Sequence, residues 1–179
     1  VRTVLASVPV THREQGALPS DADLLSWFTG ERARQDIRTR PIPLRQVAGW
    51  RRDAGCIRHE DYRFFRVVAV AVEGAGREVA SWTQPLFEPV GTGVAGLACR
   101  RFDGVPHLLV QARVEGGFLD TAELGPTVQC VPANYAHLPA SHRPRFLDLM
   151  LEAAPGSIRY AAVHSEEGGR FRNAESLYM

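Results

Sequence analysis

The chain has 179 residues, a length that suits one domain and is enough to bury a core without disulfide staples. Hydrophobic residues make up 45% and charged residues 23%, and a net charge of +1 implies neither nucleic acid nor an anionic membrane as partner. All 21 basic residues counted with Lys are Arg, so any phosphate must be held by guanidinium forks, backbone amides or hydroxyls, and Schiff-base chemistry through Lys is excluded.

Residues 1–10 are apolar but short, with no basic leader and no small-residue cleavage site, and no run approaches membrane-spanning length. A cytoplasmic protein is expected. The first residue is Val1, which suggests trimmed termini; residues 1–20 read as an N-terminal extension and 21–179 as a single domain. Cys56, Cys99 and Cys130 are odd in number and lack CxxC spacing. With Cys99 and Cys130 in apolar runs, the cysteines read as small buried hydrophobes of a reducing compartment.

Pro19-Ser20-Asp21 followed by Ala22 to Gln35 predicts a capped helix, with Leu24, Leu25, Phe28 and Ala33 near one face and Glu31, Arg32, Arg34 and Gln35 opposite. Thr39 to Pro43 is an extended connector, because each Pro biases its predecessor away from helix. Strands follow. Phe64–Val72 turns at Glu73-Gly74-Ala75-Gly76 and pairs back over Glu78–Trp82. Gly93–Phe102 turns at Asp103-Gly104 and returns as Val105–Val114, and Gly116-Gly117 precedes another extended stretch from Phe118 to Val131. Pro144–Ala153 predicts a short amphipathic helix, Ser157–His164 a strand, and Glu166 to Gly169 a tight loop. The order is that of an α+β domain.

Polar side chains crowd one region of this pattern. Strand alternation puts Gln111, Arg113 and Glu115 on one face, and repeats the device with Thr127 and Gln129; Asn134 and Tyr135 follow. Two readings stand: the floor of a site for a polar ligand, or a solvated strand face carrying an Arg–Glu pair. Amide, hydroxyl and phenol groups of this kind suit sugar hydroxyls or a pyrimidine edge. Trp82, with Gln84 two residues on, either stacks on a base or sugar ring or belongs to the core. The loop carrying Glu166, Gly168, Gly169 and Arg170 either holds a pyrophosphate or is a plain hairpin turn. The six His show no metalloprotease spacing, and no dinucleotide fingerprint, phosphate-binding loop or nucleophile elbow is present. No metal and no cofactor is therefore expected.

These clusters, in this order, resemble the NDP-hexose 2,3-dehydratase family of deoxysugar biosynthesis. The resemblance is carried by Ser81-Trp82-Thr83-Gln84-Pro85-Leu86, Phe102-Asp103-Gly104-Val105-Pro106-His107, Gln111 to Glu115, Pro126 to Gln129, Asn134-Tyr135 and Ser165 to Phe171. Pro43 to Trp50 and Arg63 to Val67 add to it, so it covers the chain from about Leu24 onward.

The resemblance implies a Nudix-like fold, a mixed or antiparallel sheet with flanking helices. It also implies a tandem duplication of which this chain matches one half, more like the second, so that a single repeat needs a homodimer to recreate the pair. The Nudix metal box is missing. The implied substrate is a 4-keto-6-deoxy sugar nucleotide of the dTDP type, and the implied reaction removes water across C2 and C3. On that footing Glu115 is the expected base or acid and Tyr135 the competing proton donor. Gln111, Thr127, Gln129 and Asn134 orient the sugar, Arg113 and Arg170 meet the diphosphate and Trp82 the nucleobase, and Gln84 and Glu166 are further substrate-binding residues. The alternatives are a non-catalytic sugar-nucleotide-binding or dimerisation half, and a related enzyme acting on another natural-product precursor.

Overall fold

A computed structural model describes residues 3–7 (backbone alone), 19–76, 78–166 and 168–179. Residues 1, 2 and 8–18 of the expected extension, and Glu167 of the expected loop, lie outside the described residues. The architecture is α+β, with antiparallel sheets and few helices, compatible with the Nudix-like arrangement expected. The chain divides into two compact units, one holding residues up to Pro41 and Ala95–Gln129, the other Ile42–Val94 and Cys130–Met179.

The first unit opens with strand β1 (Thr3–Ser7) and helix α1 (Asp21–Arg34). Ser20 caps α1: its side chain accepts from the Asp23 amide at 3.2 Å, while the Asp23 carboxylate accepts from the Ser20 amide at 3.1 Å. The inward positions are Leu24, Trp27, Phe28 and the buried Glu31, three or four residues apart. This corrects the expected faces, since Leu25 is 65% exposed, Ala33 is exposed, and Glu31 was placed on the outside.

The second unit begins its sheet with β2 (Trp50–Arg52), β3 (Cys56–His59), β4 (Phe65–Glu73) and β5 (Ser81–Pro89), in that order and antiparallel throughout. The returning strand pairs over its whole length, from Glu73 with Ser81 to Phe65 with Pro89, well beyond the expected stop at Trp82. Two prolines are tolerated in β5 for a positional reason. The N–H of Phe87 points away from β4, bonding the Arg170 carbonyl at 2.8 Å, so Pro85 and Pro89, of the same parity, lack donors only on that outer edge.

The expected strand over Gly93–Phe102 is two strands, β6 (Gly93–Gly96) and β7 (Cys99–Phe102). The Asp103-Gly104 turn forms as expected. Both residues have positive φ (48° and 84°), as a two-residue hairpin of this hand requires, and Phe102 pairs with Val105 of β8 (Val105–Arg113). The stretch after Gly117 is mostly irregular, with only β9 (Glu123–Gly125) and β10 (Val128–Cys130) extended. In the first unit β8 is the central strand, pairing antiparallel with β1, β7 and β9.

The later elements are shorter than expected. Helix α2 is Leu147–Leu151, started at Phe146 with φ 64°, and buries Leu147 and Met150. Pro155–Ser157 is a single 3-10 turn, and only β11 (Ala162–Ser165) is extended before β12 (Glu175–Tyr178) pairs back on it. Ala112, Ala122 and Val128 form the buried apolar centre of the first unit with His107 and Thr127. Leu86, Val94, Leu147, Met150 and Ala174 form that of the second. Cys99 is exposed, against the expectation of burial, because β7 leaves most of its side chains in solvent.

Candidate functional site

The candidate residues divide between the units. In the first, β8 carries Gln111 and Arg113, but the strand ends at Arg113, so Glu115 comes from the turn that follows. Arg113 gathers the group: its Nη1 donates to the Gln129 side-chain oxygen and its Nη2 to the Glu115 carboxylate. Gly125 makes this possible, since a Cβ there would fall 2.4 Å from Cδ of Arg113. The guanidinium also lies 6.0 Å from the Phe118 ring centroid. Arg113 is mostly covered, at 19% exposed, whereas half of Glu115 faces solvent. The Arg–Glu pair of the plainer reading therefore exists, and it orients a carboxylate and an amide from one fork.

Thr127 occupies a different environment. It is 2% exposed, ahead of β10, while Gln129 is exposed. Its hydroxyl accepts from the Ala98 amide at 2.8 Å and donates to the Leu109 carbonyl. Both polar bonds stitch backbone segments on either side of the β7–β8 hairpin, so Thr127 holds the platform on which Arg113 stands.

In the second unit Trp82 sits at the turn end of the β4–β5 hairpin and lines a recess of about 570 Å³ with Gly76, Glu78 and Val79. Its indole N–H donates to the Gln84 side-chain oxygen at 2.6 Å, and the Gln84 amide donates to the Gly169 carbonyl at 3.3 Å. This chain of bonds ties the indole to the loop that bears Arg170. The carboxylate of Glu166, in the same loop, accepts from the Tyr178 hydroxyl at 3.3 Å; its charge, helped by partial burial, pushes the Tyr178 phenol up from its ordinary value.

Asn134 and Tyr135 lie on a 3-10 turn, Pro132–Asn134, and its cap. The Asn134 side chain accepts from the backbone amide of Phe64 at 3.0 Å, and Phe64 has φ 67°. The amide therefore restrains a left-handed residue. Tyr135 borders a second recess, of about 220 Å³, with Ala136, Arg143, Leu147 and Leu151.

One constellation escaped the sequence reading. Glu88 of β5 is almost buried between two guanidiniums, accepting from Arg66 Nε at one oxygen and from Arg172 Nη1 at the other, the latter at 3.1 Å. The carboxylate holds the Arg66 guanidinium above its ordinary value, through the hydrogen bond first and charge second. Arg66 belongs to the Arg63–Val67 stretch already singled out, but its partner Glu88 is 22 residues away, placed opposite it only by register, and the second partner of Glu88, Arg172, comes from the C-terminal segment. Among the described residues no group of three or more His, Cys, Asp and Glu is placed to hold a metal ion, and no helix is long and apolar enough to cross a membrane.

The antiparallel α+β scaffold presents an Arg-organised carboxylate and amide in the first unit, and an indole fixed at a hairpin end in the second. The model of the NDP-hexose 2,3-dehydratase family matches residues 21–179, and the chain belongs to that family. It is similar to enzymes named dTDP-4-dehydro-6-deoxy-alpha-D-glucopyranose 2,3-dehydratase: 58% identical over 178 residues to one of Amycolatopsis orientalis and 47% over 189 residues to one of Streptomyces violaceoruber. A third, of Saccharopolyspora spinosa, is 46% identical over 159 residues. The matches cover 99, 99 and 89% of this chain, which spans only 38, 42 and 33% of those relatives' lengths.

Proposed function

We propose that this chain is a sugar-nucleotide 2,3-dehydratase module acting, within a competent assembly, on a dTDP-4-keto-6-deoxyhexose in the cytoplasm. The single observation that carries the reading is the Arg113 fork, which orients the half-exposed Glu115 carboxylate and the Gln129 amide together. The reaction needs such a pair. The C4 ketone acidifies the proton on C3, a carboxylate removes it, and the enolate expels the C2 hydroxyl, which leaves as water once protonated. Amide and guanidinium donors near the ketone oxygen stabilise the enolate charge.

In this reading Glu115 is the base. Gln111 and Gln129 orient the sugar hydroxyls, and Thr127 acts by fixing the strands beneath them. Trp82, held by Gln84, offers an aromatic surface to the nucleobase. Arg170 meets the diphosphate, and Glu166 steadies its loop. The names of the relatives support the substrate class, and the chain's share of their length supports a partner: the remainder of a longer protein or a second copy.

The test is turnover of dTDP-4-keto-6-deoxyglucose, followed by release of dTDP as the eliminated sugar breaks down. Glu115→Gln is expected to lower turnover at least a hundredfold while leaving substrate affinity within a few fold. Turnover at the wild-type rate removes Glu115 from the mechanism.

A further inference from the structure

The Arg66–Glu88–Arg172 constellation has features that a structural ion pair does not need. Register places Arg51, Arg58, Arg66 and Glu88 directly opposite one another across β2, β3, β4 and β5, hence on one face of the sheet. Like charges in direct opposition repel, and each of the three is offset by a carboxylate: Arg51 by Glu60 at 3.7 Å, Arg58 by Asp53 at 2.5 Å, and Arg66 by Glu88. Arg172 is then brought to the same carboxylate. The Arg170 carbonyl and the Arg172 amide bond Phe87 at 2.8 Å each, adding a short parallel edge to β5. Phe171 faces the side of Phe87, so Arg170 and Arg172 alternate to the side of Glu88.

The outcome is two guanidinium charges against one carboxylate, a local surplus of one positive charge. Exposure is layered in the same sense. Glu88 is 11% exposed and lies beneath, while Arg66 and Arg172 are 51% and 44% exposed, each touching the carboxylate by one edge of its head group. A carboxylate underneath fixes the positions of two forks whose outer edges face solvent. That is the donor geometry of a clamp for a tetrahedral oxyanion. Trp82 and Gln84 share this face, because residues two and four back from Leu86 project with Glu88.

We propose that Arg66 and Arg172, braced by Glu88, bind the diphosphate of the nucleotide from the same sheet face that presents Trp82. The identity of the anion rests on the sugar-nucleotide reading above; the clamp itself does not.

The test measures binding of dTDP, thymidine and inorganic pyrophosphate to the 179-residue chain and to Arg66→Gln and Arg172→Gln, by calorimetry. Each variant is expected to weaken dTDP and pyrophosphate about 10- to 100-fold and to leave thymidine unchanged. Folded variants that bind dTDP as the wild type does overturn the proposal, as does an equal loss for thymidine. Should a Gln variant fail to fold, Arg66→Lys and Arg172→Lys keep the charge and lose the fork. They are expected to weaken the same two ligands by a smaller factor, and unchanged affinity overturns the proposal. Wild-type protein that binds pyrophosphate through these arginines but ignores dTDP leaves the clamp standing and removes the sugar-nucleotide reading.

Discussion

Thr127 is the residue at which chemistry and architecture part most clearly. A hydroxyl 2% exposed, bonded on one side to the Ala98 amide and on the other to the Leu109 carbonyl, offers a ligand little. Its removal leaves two part-buried backbone groups without their partner, and a stranded group of this kind destabilises by about 1–3 kcal/mol. Thr127→Val is therefore expected to lower the urea midpoint with the slope unchanged, and Thr127→Ser to restore most of the loss. A midpoint that does not move shows that water satisfies both groups. The sequence showed that polar side chains crowd between Gln111 and Tyr135, but not which face inward. Alternation grouped Thr127 with Gln129, and the structure separates them by exposure because β10 starts only at Val128. Glu88 was invisible for a related reason. Within Leu86-Phe87-Glu88-Pro89 it reads as a lone carboxylate, and both of its partners come from elsewhere in the chain.

Individual elements were legible where local chemistry dictates them. Asp103-Gly104 supplies the two positive φ values that a tight hairpin needs, and Ser20 with Asp23 supplies both halves of a capping box. Each device carries a prediction. At Gly104, φ is 84° with open space around the missing Cβ, so Gly104→Ala meets backbone strain alone. It is expected to destabilise by about 1 kcal/mol, read as a fall in melting temperature. Ser20→Ala is expected to weaken the start of α1 by about 1 kcal/mol, seen as reduced helical circular dichroism or a lower melting point. This effect also depends on pH. The Ser20 hydroxyl, then its amide, hold the Asp23 carboxyl below its ordinary value of 3.8. A depressed folded value means stability that is full above pH 3.8 and disappears as pH falls through the folded value. The difference between wild type and Ser20→Ala should shrink below pH 3.8, and a gap constant down to strong acid rules out the carboxylate's part. Elements set by distant pairing were harder to read. The strand returning through Pro85 extends to Pro89 because its proline positions face the outer edge, which sequence alone does not tell. Pro144–Ala153 has helical periodicity, yet only Leu147–Leu151 is helical, started by a left-handed Phe146.

At the scale of the whole molecule, the units have small cores and much apolar surface outside them. Leu119 is fully exposed, Leu44 79%, Leu25 65%, Val79 58% and Phe87 43%. Single exposed apolar residues are ordinary, and covering some of them with further protein would add buried apolar area to these small cores. The relatives offer a source for such a partner, since each is more than twice as long as the stretch it shares with this chain. A chain on its own can gain such burial through a second copy, with the closed twofold symmetry that self-complementary patches adopt. The 179-residue chain is therefore expected to sediment as a dimer at micromolar concentration. Because association stabilises the folded state by mass action, its melting temperature should also rise with protein concentration. A monomer by sedimentation with a melting point independent of concentration overturns the self-association proposal. Burial of the exposed apolar side chains would then come from a partner other than a second copy, and the Glu115 experiment would have to be run in the longer protein.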